Sequence, residues 1–381
     1  MSLEVAATTA VSESVARLLT ALGRDGDPLA PALLRLDWAA ALPNAAAPGF
    51  VYLAGACGGL AVGGGGRDLA EAAGKLAGEA SETLAGMSAG GAAAAPPELS
   101  VDPRLRAVWG EGPAVLGSGL AHGRPVALPA AAVFRDLPLA AEAPPRSLGA
   151  GAGPTPEAAR LSGLLELVER DAAASWWSGA VRPRAVGAED LAGAATMMAA
   201  LRAGAPGPAR PTSFLLLPSP TGLPVAAALS RDGTGEGGLV VGLKAALGLE
   251  AALAGAALEL LQMEIGLEIV RLRAKAGRAA PEDAATLRRA ALDVDATPAF
   301  APLPPLAAAG PRVDDLAGLV AHLARLGIEP LAIDLAGPDA RAGGLAVAKV
   351  FAPGLQPMPG PMREPGPAPL PGAPGAAAEL F

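Results

Sequence analysis

Three pairs of oxygen-bearing side chains stand three residues apart on helix-forming stretches of this 381-residue chain. Glu79 and Glu82 lie in GRDLAEAAGKLAGEASETLAG, Glu166 and Glu169 in PEAARLSGLLELVERDAAASWW, and Glu259 and Gln262 in GLEAALAGAALELLQMEIGLEIV. A three-residue step on a helix puts both side chains on one face. The second pair is flanked by Leu161, Leu164, Leu165, Leu167 and Val168. Carboxylates carried into such surroundings are costly unless a cation meets them. Arg170, next to Glu169, is one candidate and a metal ion is another. Taken alone, a Glu-x-x-Glu pair is also what a half-exposed helix with solvated acids shows. Recurrence on three helices, separated by similar lengths of chain, favours convergence on one oxygen-rich pocket of the kind hard cations such as Mg2+ require.

The elements that would position these residues follow from local punctuation. Asp68 and Thr155 are N-caps, with Pro156 in the first turn. Residues 48–62 read as strands, and Gly63–Gly66 as a turn into the first acidic helix. That turn either cradles phosphate or simply flexes. A Pro/Ala/Gly linker covers 88–103. AVLGSGL and PVALPAAAVF form a hairpin around Ala121–Arg124, and SFLLLP and LPVAAALS form another. Ala188–Arg202 is a helix with Met197 and Met198 as core, and Leu239–Leu243 is a strand. The third acidic helix runs from about Leu249 to Ala274. A Pro/Ala stretch at 292–311 precedes a helix Val313–Leu326 and strands Pro330–Leu335 and Leu345–Phe351. Hairpins alternating with helices imply an α+β fold, antiparallel sheets with packed helices. The expected organisation is a helical segment over 1–46, one large domain over 47–360, and a proline-rich tail over 361–381. That tail cannot pack as helix or strand.

The central motif, ELVERDA (Glu166–Ala172), follows the glycine-rich turn Ser147–Gly153 and precedes Trp176–Trp177. It resembles the signature of the YcaO family. Glu79 and Glu82 resemble that family's earlier Glu-x-x-Glu-Arg motif, and Glu259 and Gln262 its Glu-x-x-Gln motif. LAVAKVFAPGLQPM (Leu345–Met358) resembles its final strand and Pro-Gly-Leu turn. The resemblance implies a YcaO-like fold and ATP- and Mg2+-dependent activation of peptide backbone amides. A Cys, Ser or Thr of the substrate as nucleophile gives an azoline; an external sulfur donor gives a thioamide. It implies Glu79, Glu82, Glu166, Glu169 and Glu259 as magnesium ligands, and these five with Arg170 and Gln262 as ATP-binding residues. The implied partners are a peptide or protein substrate and a partner protein encoded nearby, and a homodimer is compatible with the chain.

Departures from the family pattern leave two readings. Thr83 and Gly255 stand where arginines are expected, Lys75 where a small hydroxyl is, Leu148 where a polar residue is, Ala158 where a glutamate is, and Glu264 where an arginine is. Each lost contact to phosphate costs about 1.5–3 kcal/mol. Either Lys75, Arg67 or Lys244 supplies the missing charge in space, or the chain is a degenerate, non-catalytic homologue that binds peptide or pairs with an active partner. Pro367, Pro369 and Pro371 match the Pro-x-Pro-x-Pro ending of azoline-forming members, in a segment dense enough in proline for a chance match.

Composition excludes other classes. The net charge of −8, without a basic run, argues against nucleic acid. One cysteine, Cys57, allows neither a disulfide framework nor a thiolate metal site, and reads as a small buried residue. The two histidines, His122 and His322, are far apart in sequence, so a His-based metal site or a Ser–His–Asp triad is poorly supported. The longest uncharged stretch, about 45–66, is glycine-rich and reads as strands, so no membrane span is expected and the cytoplasm is the expected location. Richness in alanine, glycine and proline points to a GC-rich bacterial genome.

Overall fold

The computed structural model describes residues 13–22, 29–87, 89, 92–139, 143–233, 237–281, 283–305, 313–335 and 344–355. The proline-rich tail, with Pro367, Pro369 and Pro371, lies outside them. Helices α1 (Glu13–Leu22) and α2 (Ala30–Leu33) precede strands β1 (Trp38–Pro43), β2 (Val51–Cys57) and β3 (Leu60–Gly66), which lead into α3 (Leu69–Ala85). After α4 (Pro103–Trp109) come the hairpin β4 (Ala114–Gly119) and β5 (Pro125–Pro129), the short α5 (Ala130–Val133), β6 (Ala150–Gly153) and α6 (Pro156–Trp177). Then follow β7 (Arg184–Ala185), α7 (Ala188–Arg202), β8 (Thr212–Leu217), β9 (Val225–Ser230), β10 (Val240–Ala245) and α8 (Leu249–Lys275). The last elements are α9 (Asp283–Ala290), α10 (Leu316–Arg325), β11 (Leu331–Asp334) and β12 (Ala346–Phe351). The fold is α+β, with three antiparallel sheets ordered β1-β2-β3, β10-β9-β8-β7 and β5-β4-β11-β12-β6.

Three strand–cap–helix units carry the acidic pairs. Asp68 and Thr155 cap α3 and α6 by accepting the N–H groups of Glu71 and Ala158, and Gly248 holds the same place before α8. In each unit the first acid lies eleven residues past the cap and its partner fourteen: Asp68 to Glu79 and Glu82, Thr155 to Glu166 and Glu169, Gly248 to Glu259 and Gln262. The offset is three turns, so each pair sits on one face of its helix, well past the first two turns.

Glycine in the strands lets the helices seat. A Cβ on Gly64 would lie 2.3 Å from the Ala72 carbonyl oxygen and 2.4 Å from the Leu76 nitrogen. One on Gly151 would meet Ala159 and Gly163 backbone at 2.3 and 2.5 Å, and one on Gly242 would meet Leu260 and Ala256 at 2.2 and 2.3 Å. The run Gly63–Gly66, expected as a turn, is the second half of β3; Gly64 and Gly66 leave room for the α3 backbone, whereas Cβ atoms on Gly63 and Gly65 would meet the Tyr52 and Phe50 rings on the other face. A second correction concerns the segment 1–46. It is not helical throughout, because Trp38–Pro43 forms β1 and pairs with β2 from Trp38↔Ala56 to Pro43↔Val51. Tertiary pairing overrides the helix preference of its alanines.

The sheet β10-β9-β8-β7 is covered on both faces. Leu215, Leu217, Ala227 and Leu229 pack toward α6, whereas Phe214, Ala226 and Ala228 pack toward α7 and α8, as the two-residue period of strands dictates. Trp176 and Trp177 are fully buried against Phe300, ring centroids 5.6 and 5.8 Å away, and the Trp176 Nε1–H donates to the Ala299 carbonyl at 2.9 Å. No helix of the described residues is long and apolar enough to cross a membrane.

Candidate active site

The acidic faces of α3, α6 and α8 open into one cavity of about 820 Å³. Glu79, Glu82, Glu166, Glu169, Arg170, Glu259 and Gln262 all line it. Amides of the strands, and of the turn that enters β6, fix the acids. Glu79 accepts the Gly63 N–H at 2.6 Å, Glu166 that of Gly149 at 2.9 Å, Glu169 that of Ala245 at 3.1 Å and Glu259 that of Leu243 at 3.2 Å. The Ala152 amide acts on Glu82 in the same sense. Each helix is thus locked to its own or a neighbouring sheet through the residues that face the cavity. The Arg170 Nε lies 3.7 Å from both Glu166 and Glu169.

Burial and crowding make this site electrostatically expensive. Burial pushes the Glu82 carboxyl up to about 8, and repulsion from Glu166 and Glu79 adds to it. Glu259 is raised to about 7 by burial and by Glu169, against Arg170, Lys244 and the Leu243 N–H. Glu166 and Glu79 are also raised, burial being the main cause. Burial pulls the Arg170 guanidinium down, but Glu169, Glu166 and Glu259 together outweigh it and hold it above its ordinary value. Four carboxyls raised in one cavity, chiefly by burial, mark a candidate functional site.

The cavity also holds cations. Arg67, Lys75 and Lys244, the three named from sequence as spatial substitutes, line it. Lys244 runs over Gly255: a Cβ there would lie 2.5 Å from the Lys244 Cγ. A cation from β10 thus occupies the room above the glycine that stands where an arginine is expected. Thr83 lines the cavity beside Glu82, while Ala158 packs near Gly153 outside it. Leu148 is buried in the core. Glu264, two residues past Gln262, belongs to a buried network that receives Arg202 at 2.6 Å, Arg210 at 3.2 Å and Ser230 at 2.6 Å. Arg135, Arg146 and Lys349 also line the cavity, and sequence reasoning does not single them out. For Lys349 a signal existed: a single charge inside the apolar strand AVAKVF.

These residues fit magnesium and a nucleotide. The donor set is all oxygen, as Mg2+ demands, and the raised carboxyls would be relieved by a divalent cation. Among the described residues no group of three acids could by itself hold a metal ion. That is the habit of Mg2+, which takes one or two carboxylates and completes its shell with phosphate oxygens and water rather than with an all-protein cage.

The chain belongs to the YcaO family: the family model described as YcaO cyclodehydratase, ATP- and Mg2+-binding, matches residues 67–356. Solved structures share its fold. A heterocyclase in complex with substrate and cofactor aligns with a TM-score of 0.70 at 22% identity, over 90% of this chain and 52% of that one. YcaO from Methanopyrus kandleri, bound with AMPPCP and Mg2+, aligns with a TM-score of 0.64 at 21% identity, over 87% and 91%. The E. coli microcin synthetase McbBCD complex gives 0.59 at 13% identity, over 82% and 86%. The chain spans about half the length of the heterocyclase it matches. No curated protein matches it in sequence.

Proposed function

We propose that the protein uses ATP and Mg2+ to activate a backbone amide of a peptide or protein substrate, forming an azoline or a thioamide. The observation that carries this reading is the gathering of five glutamates from three helices around one cavity that also holds Lys75, Lys244 and Arg170. In azoline formation a substrate Cys, Ser or Thr adds to the amide carbon and loses its proton. The carbonyl oxygen takes the γ-phosphoryl group as ADP leaves. Phosphate then departs with that oxygen, and the amide proton is lost as the C=N bond forms. In the thioamide alternative an external sulfur donor is the nucleophile.

Glu79, Glu82, Glu166, Glu169 and Glu259 would hold magnesium, which supplies charge neutralisation and polarisation at the phosphates. Arg170, braced by Glu166 and Glu169, is positioned to meet anionic oxygen, and Gln262 offers a neutral amide at the equivalent place on the third helix. Lys244 supplies positive charge beside Gly255, where an arginine is missing, and Lys75 lines the same cavity, which favours the catalytic reading over the degenerate one. We assign this chemistry to residues 47–360 and place it in the cytoplasm, with a peptide substrate and a partner protein encoded nearby.

The test is peptide-stimulated phosphate release by wild type and by Glu169→Gln, with candidate precursor peptides and any partner encoded beside the gene. Glu169 is 3% exposed and hydrogen-bonded to Ala245, and glutamine preserves its shape while removing its charge. Release by wild type and its loss in the variant are expected. Equal rates would overturn the assignment of Glu169, and no release by wild type would return the chain to the non-catalytic class.

A further inference from the structure

The face of α8 that lines the cavity does not stop at the cavity. Gly255, Glu259 and Gln262 lie on it. Further steps of four, three and four residues bring Gly266, Ile269 and Arg273 to the same side of the helix. The opposite side is core, where Leu253, Leu260 and Leu267 are buried. Beyond Gln262 the shared face is open. A Cβ on Gly266 would meet nothing within 4 Å, so no neighbour requires this poor helix former, and its missing side chain leaves free space. Ile269 is 36% exposed, and Leu272, three residues on and beside Arg273, is 63% exposed.

Positive charge gathers where this face ends. In a chain of net charge −8, residues 269–281 carry Arg271, Arg273, Lys275 and Arg278 and no acid. Arg271 turns to Asp232 at 2.7 Å and to Glu268 at 2.8 Å, and Arg273 pairs with Asp283 of α9. Asp283 also accepts the Ala280 N–H at 2.9 Å, which fixes the connection between the two helices. Lys275 and Arg278 are exposed and form no ion pair among the described residues. An apolar ledge with unpaired cations beyond it complements a polypeptide that carries both apolar and acidic side chains.

We propose that this face of α8, from Gln262 past Gly266 to Leu272 and Lys275, is the track on which the peptide substrate lies as it leaves the cavity, and that the substrate segment seated on its far end is apolar and acidic. This rests on the function proposed above. From Gln262 to Leu272 is roughly 15 Å along the helix axis, which about five residues of extended peptide span. A segment docked at the helix end would hold the reacting amide near the glutamates at high effective concentration. Selectivity would then come from substrate residues remote from the amide itself.

The experiment measures binding of fluorescent synthetic peptides to the full chain by anisotropy, with Mg2+ and AMPPCP present. The first probe has a Gly-Cys-Gly end, a short glycine spacer and a Leu/Glu-rich stretch; the second carries Lys in place of Glu. The Glu probe should bind about tenfold or more tighter than the Lys probe. Leu272→Glu and the double reversal Lys275→Glu/Arg278→Glu should each weaken the Glu probe by about tenfold. The double reversal should also gain affinity for the Lys probe, which loss of structure could not produce. Gly266→Ala should bind like wild type and Gly266→Phe weakly, because the ring stands across the path. Thermal melting checks that each variant folds. No binding of the Glu probe, binding indifferent to the sign of its charge, or binding that ignores Gly266→Phe would overturn the track. So would self-association of wild type that Leu272→Glu abolishes, which would give the face to a second copy of the chain. Peptide-stimulated phosphate release that ignores all these substitutions would overturn the track and leave the proposed function standing. Probe binding that follows them in a protein that releases no phosphate would sink the proposed function and leave the docking face.

Discussion

Replacing Glu82 by glutamine should stabilise the ligand-free protein, and by an amount that grows with pH. The folded carboxyl titrates at about 8, against 4.5 for the free group. At ~1.4 kcal/mol per pH unit, that interval sets an upper bound of about 5 kcal/mol. The sign follows from proton binding. Between 4.5 and 8 the folded state keeps a proton that the unfolded chain has lost, so stability falls across this window and levels off above it. Glutamine fills the same volume and carries no charge, so the difference between variant and wild type isolates the cost. It should be under ~1 kcal/mol at about pH 5 and approach a few kcal/mol at about pH 9. For a chain of this size about 2 °C accompanies each kcal/mol, giving a rise in Tm of roughly 5–10 °C at the upper pH. The assay is thermal melting of both proteins in EDTA across this range, repeated with Mg2+ and AMPPCP. With ligand the order should reverse, since wild type gains the binding energy of a carboxylate that the variant lacks. A Tm difference that does not change with pH, or a variant less stable than wild type in EDTA at high pH, would refute the account of the crowded acids.

Nucleotide affinity should depend on divalent cation, because carboxylates and phosphates repel without it; calorimetry with ATP should give binding in Mg2+ and little in EDTA. Gly64→Ala should cost about 2–3 kcal/mol or more, because its Cβ would meet the Ala72 oxygen at 2.3 Å and force α3 off β3; denaturant unfolding measures this. The same displacement should reduce nucleotide affinity by moving Glu79 and Glu82. Cys57→Ala should keep phosphate release intact, since burial and the nearby Asp37 hold the Cys57 thiol up at about 11 and its S–H lies against the Arg35 carbonyl. Alkylation of wild-type Cys57 near neutral pH should proceed only as fast as the protein unfolds.

Local features of this protein are legible in the chain itself. Asp68 and Thr155 start helices because a short side-chain oxygen can reach an N–H two or three residues on, and that requires no other part of the chain. The three-residue spacing of the acids places them on one helix face by geometry alone. The hairpins at Ser219–Leu223 and Ala121–Arg124 and the apolar periodicity of α7 and α8 are equally local. What those faces meet is not. Gly63–Gly66 carries the composition of a turn, yet becomes a strand because it pairs with β2, and α3 lies on Gly64 and Gly66 at backbone distance. WAAALP carries the composition of a helix, yet becomes β1 because β2 offers it a partner. Lys349 enters the cavity only because β12 pairs with β6, with Lys349 opposite Ala150 across a long separation in sequence. That pairing sets its ammonium group on the Arg146 and Leu148 carbonyls. Helix caps and periodicity are decided by neighbours within a turn or two, whereas a charge is assigned its role by whichever groups share its low-dielectric surroundings, and only the packing of distant strands brings those together.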